Sequence, residues 1–171
     1  MRGPAADWFL ADESGSHSRD PHFSPRLYEK GDPRIRVALL AEDNLADVLL
    51  IQEAIELYAL PLDLHIVEDG EKALEFIRAA ENDSEAPCPE LLLLDLNLPR
   101  RSGKEVLERV RQSRKFKDIP VLIITSSDVA KERDELARLG ANRYFRKPSN
   151  YEAFLKVGQV LKELLEEDAV N

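Results

Sequence analysis

The chain has 171 residues, is 43% hydrophobic and carries a formal net charge of −9 at pH 7, with 24 basic residues against 33 acidic ones. That length suits one domain with a proper core and some extra chain, and the acidity argues against a nucleic-acid surface of clustered Lys and Arg. The single cysteine, Cys88 between Pro87 and Pro89, excludes an internal disulfide and offers no metal-ligand spacing.

No apolar run approaches the roughly 18 residues of a transmembrane helix, and Met1 to Ala11 lacks the basic start and apolar centre of a signal peptide, so a cytoplasmic protein is expected. Residues 1 to about 34 mix Ser, Pro, Gly, His and charges without periodicity and read as a flexible extension. Within it, Trp8-Phe9-Leu10 is an apolar triplet without a readable role. The extension holds 5 basic and 6 acidic residues, leaving 19 basic and 27 acidic, a net of −8, on the folded part from 35 to 171.

From Ile35 short apolar strands alternate with longer amphipathic segments, the pattern of repeated βα units around a parallel sheet. The first strand is Arg36 to Ala41, followed by a helix from about Ala46 to Ala59 with Val48, Ile51, Ile55 and Tyr58 on one face and Pro61 beyond its end. The second strand is Leu64 to Val67; after the turn Asp69-Gly70, the residues Ala73, Leu74, Ile77 and Ala80 recur at helical spacing. A polar loop from Glu81 to Glu90 leads to Leu91-Leu92-Leu93-Leu94, a run expected to be buried on both faces. A helix from about Lys104 to Ser113 turns Val106, Leu107 and Val110 inward. The fourth strand is Val121 to Thr125, and its helix, about Val129 to Leu139, stops at Gly140, the expected left-handed cap. The fifth strand is Arg143 to Arg146, and a last helix runs from about Tyr151 to Leu165, burying Phe154, Leu155, Val157, Val160 and Leu161. The fold expected is α/β, a doubly wound five-stranded parallel sheet with right-handed crossovers and every strand end at one edge. An apolar stripe reaching Leu164 leaves room for a homodimer contact through the last helix.

Polar residues collect at that edge. Glu42-Asp43 follow the first strand, Asp95 the third, Thr125-Ser126 close the fourth and Lys147-Pro148 follow the fifth. Taken singly, an acidic pair reads as a helix cap, Asp95 as the opening of a turn, and Lys-Pro as a turn. Together, three converging carboxylates call for a cation, and hard oxygen donors with open positions suit Mg²⁺. Lys147 supplies a compact positive charge to pair with Asp95 and then with a phosphoryl oxygen, and the Thr125 hydroxyl can donate to another. Asn97, before Pro99, has an adequate explanation as a turn residue on its chemistry alone.

Glu42-Asp43, Asp95, Thr125, Tyr144 and Lys147-Pro148, with the loop Leu98-Pro99 and Gly103, resemble the receiver domain of two-component response regulators, from about Ile35 onward. The resemblance implies the (βα)5 flavodoxin-like fold. It makes Asp95 the phosphoacceptor, Glu42, Asp43, Asp95 and Asn97 the Mg²⁺ site, Lys147 the charge partner, Thr125 and Tyr144 a switch pair, and the bond before Pro148 cis. Glu42-Asp43-Asn44 with Ala46-Asp47, and Asp95-Leu96-Asn97-Leu98-Pro99, resemble the single-domain regulators of phytochrome-type histidine kinases. The implied partner is a sensor histidine kinase or phosphotransfer protein, and the implied role is a signalling phosphoacceptor that catalyses only its own phosphorylation and dephosphorylation, with no output domain after residue 171. Two other classes fit less well. An aspartyl phosphatase wants an acid where Asn97 stands, and a flavodoxin-like cofactor binder wants a phosphate loop where Glu42-Asp43-Asn44 would repel one. A phosphate-independent scaffold of the same fold is the remaining alternative.

Overall fold

The computed structural model describes residues 35–127 and 129–169; the extension expected over residues 1–34 lies outside them. Five strands, β1 (Arg36–Ala41), β2 (Leu62–Val67), β3 (Leu91–Leu94), β4 (Val121–Thr125) and β5 (Arg143–Arg146), form one sheet in the order β2-β1-β3-β4-β5. Every neighbouring pair is parallel, as the βα alternation requires. β2 begins two residues earlier than the apolar pattern suggests, because the parallel register pairs Leu62 with Arg36 and Asp63 with Val37. As an edge strand it tolerates the polar Asp63 and His65 on its way.

The helices are α1 (Leu45–Leu57), α2 (Gly70–Asn82), α3 (Gly103–Gln112), α4 (Ala130–Arg138), α5 (Tyr151–Leu155) and α6 (Val157–Asp168). Strand alternation sorts the core into two layers. Leu92 and Leu94 face Ala73, Ile77, Val106, Leu107 and Val110 of α2 and α3, with Phe116 filling the loop after α3. Leu91 and Leu93 face Val48 and Ile51 of α1 and Phe154, Val157 and Leu161 of α5 and α6. All four leucines of β3 are 0% exposed, so the central strand is the spine of both layers. Among the described residues no helix is long and apolar enough to cross a membrane.

Four helices start on side-chain caps, α5 among them through Asn150, which accepts from the Ala153 N–H (3.0 Å). Asn44 accepts from the Ala46 N–H, Asp69 from that of Lys72, and Ser102 with Glu105 forms a reciprocal capping box. Helix α4 has no such bond at Val129 and buries only Leu136, which leaves it the most lightly anchored helix of its layer.

The last helix differs from its expectation. It breaks at Lys156, two residues before Gly158, where an added Cβ would lie 2.4 Å from Tyr58 Cδ2 and 2.8 Å from the Ala54 carbonyl. The break lets α6 lie directly on α1. Leu164, expected near a dimer contact, is 2% exposed and belongs to the chain's own core. A second correction concerns Pro148. No described peptide bond is cis, so the Lys147–Pro148 bond is trans. Trans is the form an X–Pro bond ordinarily favours by about 0.5–1 kcal/mol, and with it the Lys147 N–H already bonds the Thr125 carbonyl (2.8 Å) while Nζ reaches the acidic site.

Candidate functional site

The strand order reverses between β1 and β3, the point at which an open parallel sheet leaves a crevice at its carboxyl edge. The ladder itself carries two acids into that crevice. Glu42 N–H donates to the Val67 carbonyl (3.0 Å) and Asp95 N–H to that of Ala41 (3.0 Å), so both residues extend the sheet by one hydrogen bond while their side chains clear its end. Glu42 and Asp95 are buried and Asp43 is exposed, and one carboxylate oxygen from each lies within 4.8 Å of the other two. The three acids expected to converge do so.

Each Asp95 oxygen has a partner. The Asn97 N–H donates to Oδ1 (3.1 Å), and Lys147 Nζ donates to Oδ2 (2.8 Å). Lys147 also donates to Glu42 Oε2 (2.7 Å), whose other oxygen accepts the Asn44 N–H (3.0 Å). A third carboxylate, Asp47 in the first turn of α1, sits 2.9 Å from the same Nζ. From sequence alone, an acid in a first helical turn has a sufficient local explanation in the helix dipole, and Asp47 carries no mark of a role in the site. Its place in the first turn after the Glu42-Asp43 pair sets it near the strand edge, but nothing in residue type ties it to Lys147.

Burial pushes the Glu42 carboxyl above its ordinary value, against the hydrogen bonds from Lys147 and Asn44 that lower it. Burial alone would draw the Lys147 ammonium down. The hydrogen bonds to Asp95, Glu42 and Asp47 outweigh it and hold the group above its ordinary value, charged at any physiological pH. A single ammonium among Glu42, Asp43, Asp47 and Asp95 leaves the site strongly negative. The donors are all hard oxygens, and a divalent cation of the Mg²⁺ or Mn²⁺ kind is the group they fit.

The loop after Asp95 is folded tightly over it. Gly103 N–H donates to the Leu96 carbonyl (3.0 Å), and a Cβ on Gly103 would lie 2.1 Å from the Asp95 carbonyl oxygen, so only glycine fits there. Arg100 takes a left-handed φ of 65°, and the loop is tied to the start of α2 through Gly70 N–H and the Pro99 carbonyl (3.2 Å). Asn97 is exposed on this loop.

Thr125 is 0% exposed at the end of β4, and its Oγ1 accepts from the Ser127 N–H (3.2 Å). Tyr144, half-buried on β5, donates its hydroxyl to the Ser127 carbonyl (2.8 Å), with the Arg133 guanidinium 5.8 Å from its ring centre. The two residues expected to act as a pair are thus joined through the two backbone groups of Ser127, a residue with no sequence signal of its own.

Residues 38–158 match the family described as the response regulator receiver domain. The chain is 37% identical over 126 residues to the response regulator Rcp1 of Synechocystis, across 72% of this chain and 84% of that one. Its fold superposes on the phosphorylated cyanobacterial phytochrome response regulator RcpA with a TM-score of 0.69 at 32% identity, covering 75% of this chain and 92% of the other. It also superposes on the Mn²⁺-bound form of Rcp1 with a TM-score of 0.68 at 35% identity, covering 74% and 91%.

Proposed function

We propose, from the premise that this chain belongs to the response regulator receiver domain family, that Asp95 takes a phosphoryl group from a phosphohistidine on a sensor histidine kinase or phosphotransfer protein. The observation that carries the reading is the Asp95 carboxylate itself, standing at the switch point of the sheet with one oxygen on the Asn97 N–H and the other on Lys147. An Asp95 oxygen forms the bond to phosphorus as the P–N bond to the donor breaks and its electron pair returns to the imidazole. Glu42, Asp43 and Asp95, with the Asn97 backbone carbonyl, are the residues that would hold Mg²⁺, which when bound supplies positive charge to the phosphoryl oxygens. Lys147 stays charged through the transfer and gives the incoming oxygens a fixed cation.

Readout follows from the hydrogen bonds of Ser127. A phosphoryl oxygen on Asp95 draws the Thr125 hydroxyl toward it, which disturbs the bond from the Ser127 N–H and with it the carbonyl on which Tyr144 hangs. The population then shifts toward a form in which Tyr144 and the lightly anchored α4 take new positions. The chain acts as a switch and turns over no substrate other than its own acyl phosphate, in the cytoplasm. The similarity to RcpA, a regulator named for phytochrome, supports a phytochrome-type kinase as the donor. Exposed Leu45 and Leu49, one turn apart on α1 beside the acids, offer that donor an apolar foothold.

The experiment is transfer of labelled phosphate from an autophosphorylated phytochrome-type kinase. Transfer with Mg²⁺ and its loss on chelation are the expected results. A chain left unlabelled by phosphorylated kinases and small phosphodonors alike, with Mg²⁺ present, is not a phosphoacceptor.

A further inference from the structure

Lys147 has three ammonium protons, and the structure gives it three carboxylates: Glu42 (2.7 Å), Asp95 (2.8 Å) and Asp47 (2.9 Å). Two of these partners, Glu42 and Asp95, also belong to the cluster of oxygens that suits a divalent cation; Asp47 does not. Any cation taken up there competes with Lys147 for the lone pairs of Glu42 and Asp95. Asp47 is the one partner free of that competition. It is also well placed to stay still, in the first turn of a helix whose start is fixed by the bond from the Ala46 N–H to Asn44 Oδ1 (2.9 Å), with its charge at the favourable end of the helix dipole.

The geometry points to Asp47 as a positioning residue: through its bond to Nζ it keeps Lys147 beside Asp95 when Glu42 and Asp95 turn to the cation. A lysine side chain is a compact charge on a flexible four-carbon stem, and it needs such a tether to stand at one point of a crevice. Only 10% of the Lys147 side chain and 18% of that of Asp47 are exposed, so water competes weakly for the pair. This inference rests on Asp95 as the acceptor, and it assigns Asp47 no contact with phosphate or metal.

The test uses the full chain, acetyl phosphate as donor and saturating Mg²⁺, with the Asp47→Asn, Asp47→Ser and Asp47→Glu variants. Asp47→Asn is expected to lower the maximal rate of Asp95 labelling by about tenfold, the usual scale for residues that orient a reacting group. The donor concentration at half-maximal rate and the Mg²⁺ affinity, measured by calorimetry, stay close to wild type, and Asp47→Glu recovers most of the rate. A residue that merely supports the fold would lower the urea midpoint without that split. Asp47→Ser, which keeps a small polar group in the first helical turn, carries the same expectation should the Asn variant fold poorly. Wild-type rates in the Asn and Ser variants, or a rate loss matched by an equal loss of Mg²⁺ affinity, overturn the role given to Asp47. A wild-type chain that takes no label on Asp95 overturns the acceptor reading itself, and this inference with it.

Discussion

At the scale of single residues, Lys147 decides the electrostatics of the molecule. It sits among Glu42, Asp47 and Asp95, and its own bonds are what make two buried carboxylates tolerable at the end of an apolar sheet. Removing one partner of a buried pair costs more than the pair contributes, because the other charge is left uncompensated. Lys147→Met should therefore lower the unfolding free energy by about 2–3 kcal/mol in urea titrations without divalent ions, somewhat under the figure for fully buried pairs since the site retains some solvent. Mg²⁺ should recover part of that loss, because a cation replaces the missing charge. The identities of Glu42, Asp43, Asp95, Thr125 and Lys147 were legible in the sequence, since each stands at or just past the end of an expected strand and strand ends of a parallel sheet share one edge. Asp47 and Ser127 were not. One is paired with a residue 100 positions away, and the other acts through its backbone, which leaves no mark on residue type.

At the scale of elements, strands were easier to read than helix ends. The run Leu91 to Leu94 has a single interpretation, and Gly140 does cap its helix at a left-handed φ of 100°. The break at Lys156 was not legible, because it goes with a contact distant in sequence, the close fit of Gly158 against Ala54 and Tyr58 at the end of α1. Ties between neighbouring helices were equally invisible. Glu81 near the end of α2 accepts from Ser113 Oγ (2.5 Å) and from Arg109 (2.7 Å), joining the far ends of α2 and α3. The Ser113 hydroxyl, then Arg109, hold the Glu81 carboxyl below its ordinary value. A depressed carboxyl contributes stability above its unfolded-state value, and the contribution is lost as pH falls through the lower, folded-state one. Glu81→Ala should cost about 1 kcal/mol at pH 7, and the gap to wild type should close on acidification below the ordinary carboxylate range, as followed by thermal unfolding at a series of pH values. A gap that widens in acid would contradict the assignment.

At the scale of the whole molecule, the sheet works as a rigid frame and the crevice as a deliberately uncomfortable place on it. Two leucine-faced layers clamp β3 from both sides, so the Asp95 backbone is held by a strand that is 0% exposed while its carboxylate faces an excess of negative charge. A divalent cation relieves that excess in the folded chain and not in the unfolded one. Mg²⁺ at ten times its dissociation constant should thus stabilise the fold by about 1.4 kcal/mol, and the gain should vanish in Asp43→Asn; equal stabilisation of both proteins would mean that the ion binds elsewhere. The same arrangement makes the central claim simple to examine. The most direct measurement is intact-protein and peptide mass analysis of wild type and Asp95→Asn after incubation with a phosphodonor and Mg²⁺. The account predicts a gain of one phosphoryl group in wild type, mapped to Asp95 and absent from the variant. Equal labelling of Asp95→Asn, or a phosphoryl group mapped to any other residue, would contradict it.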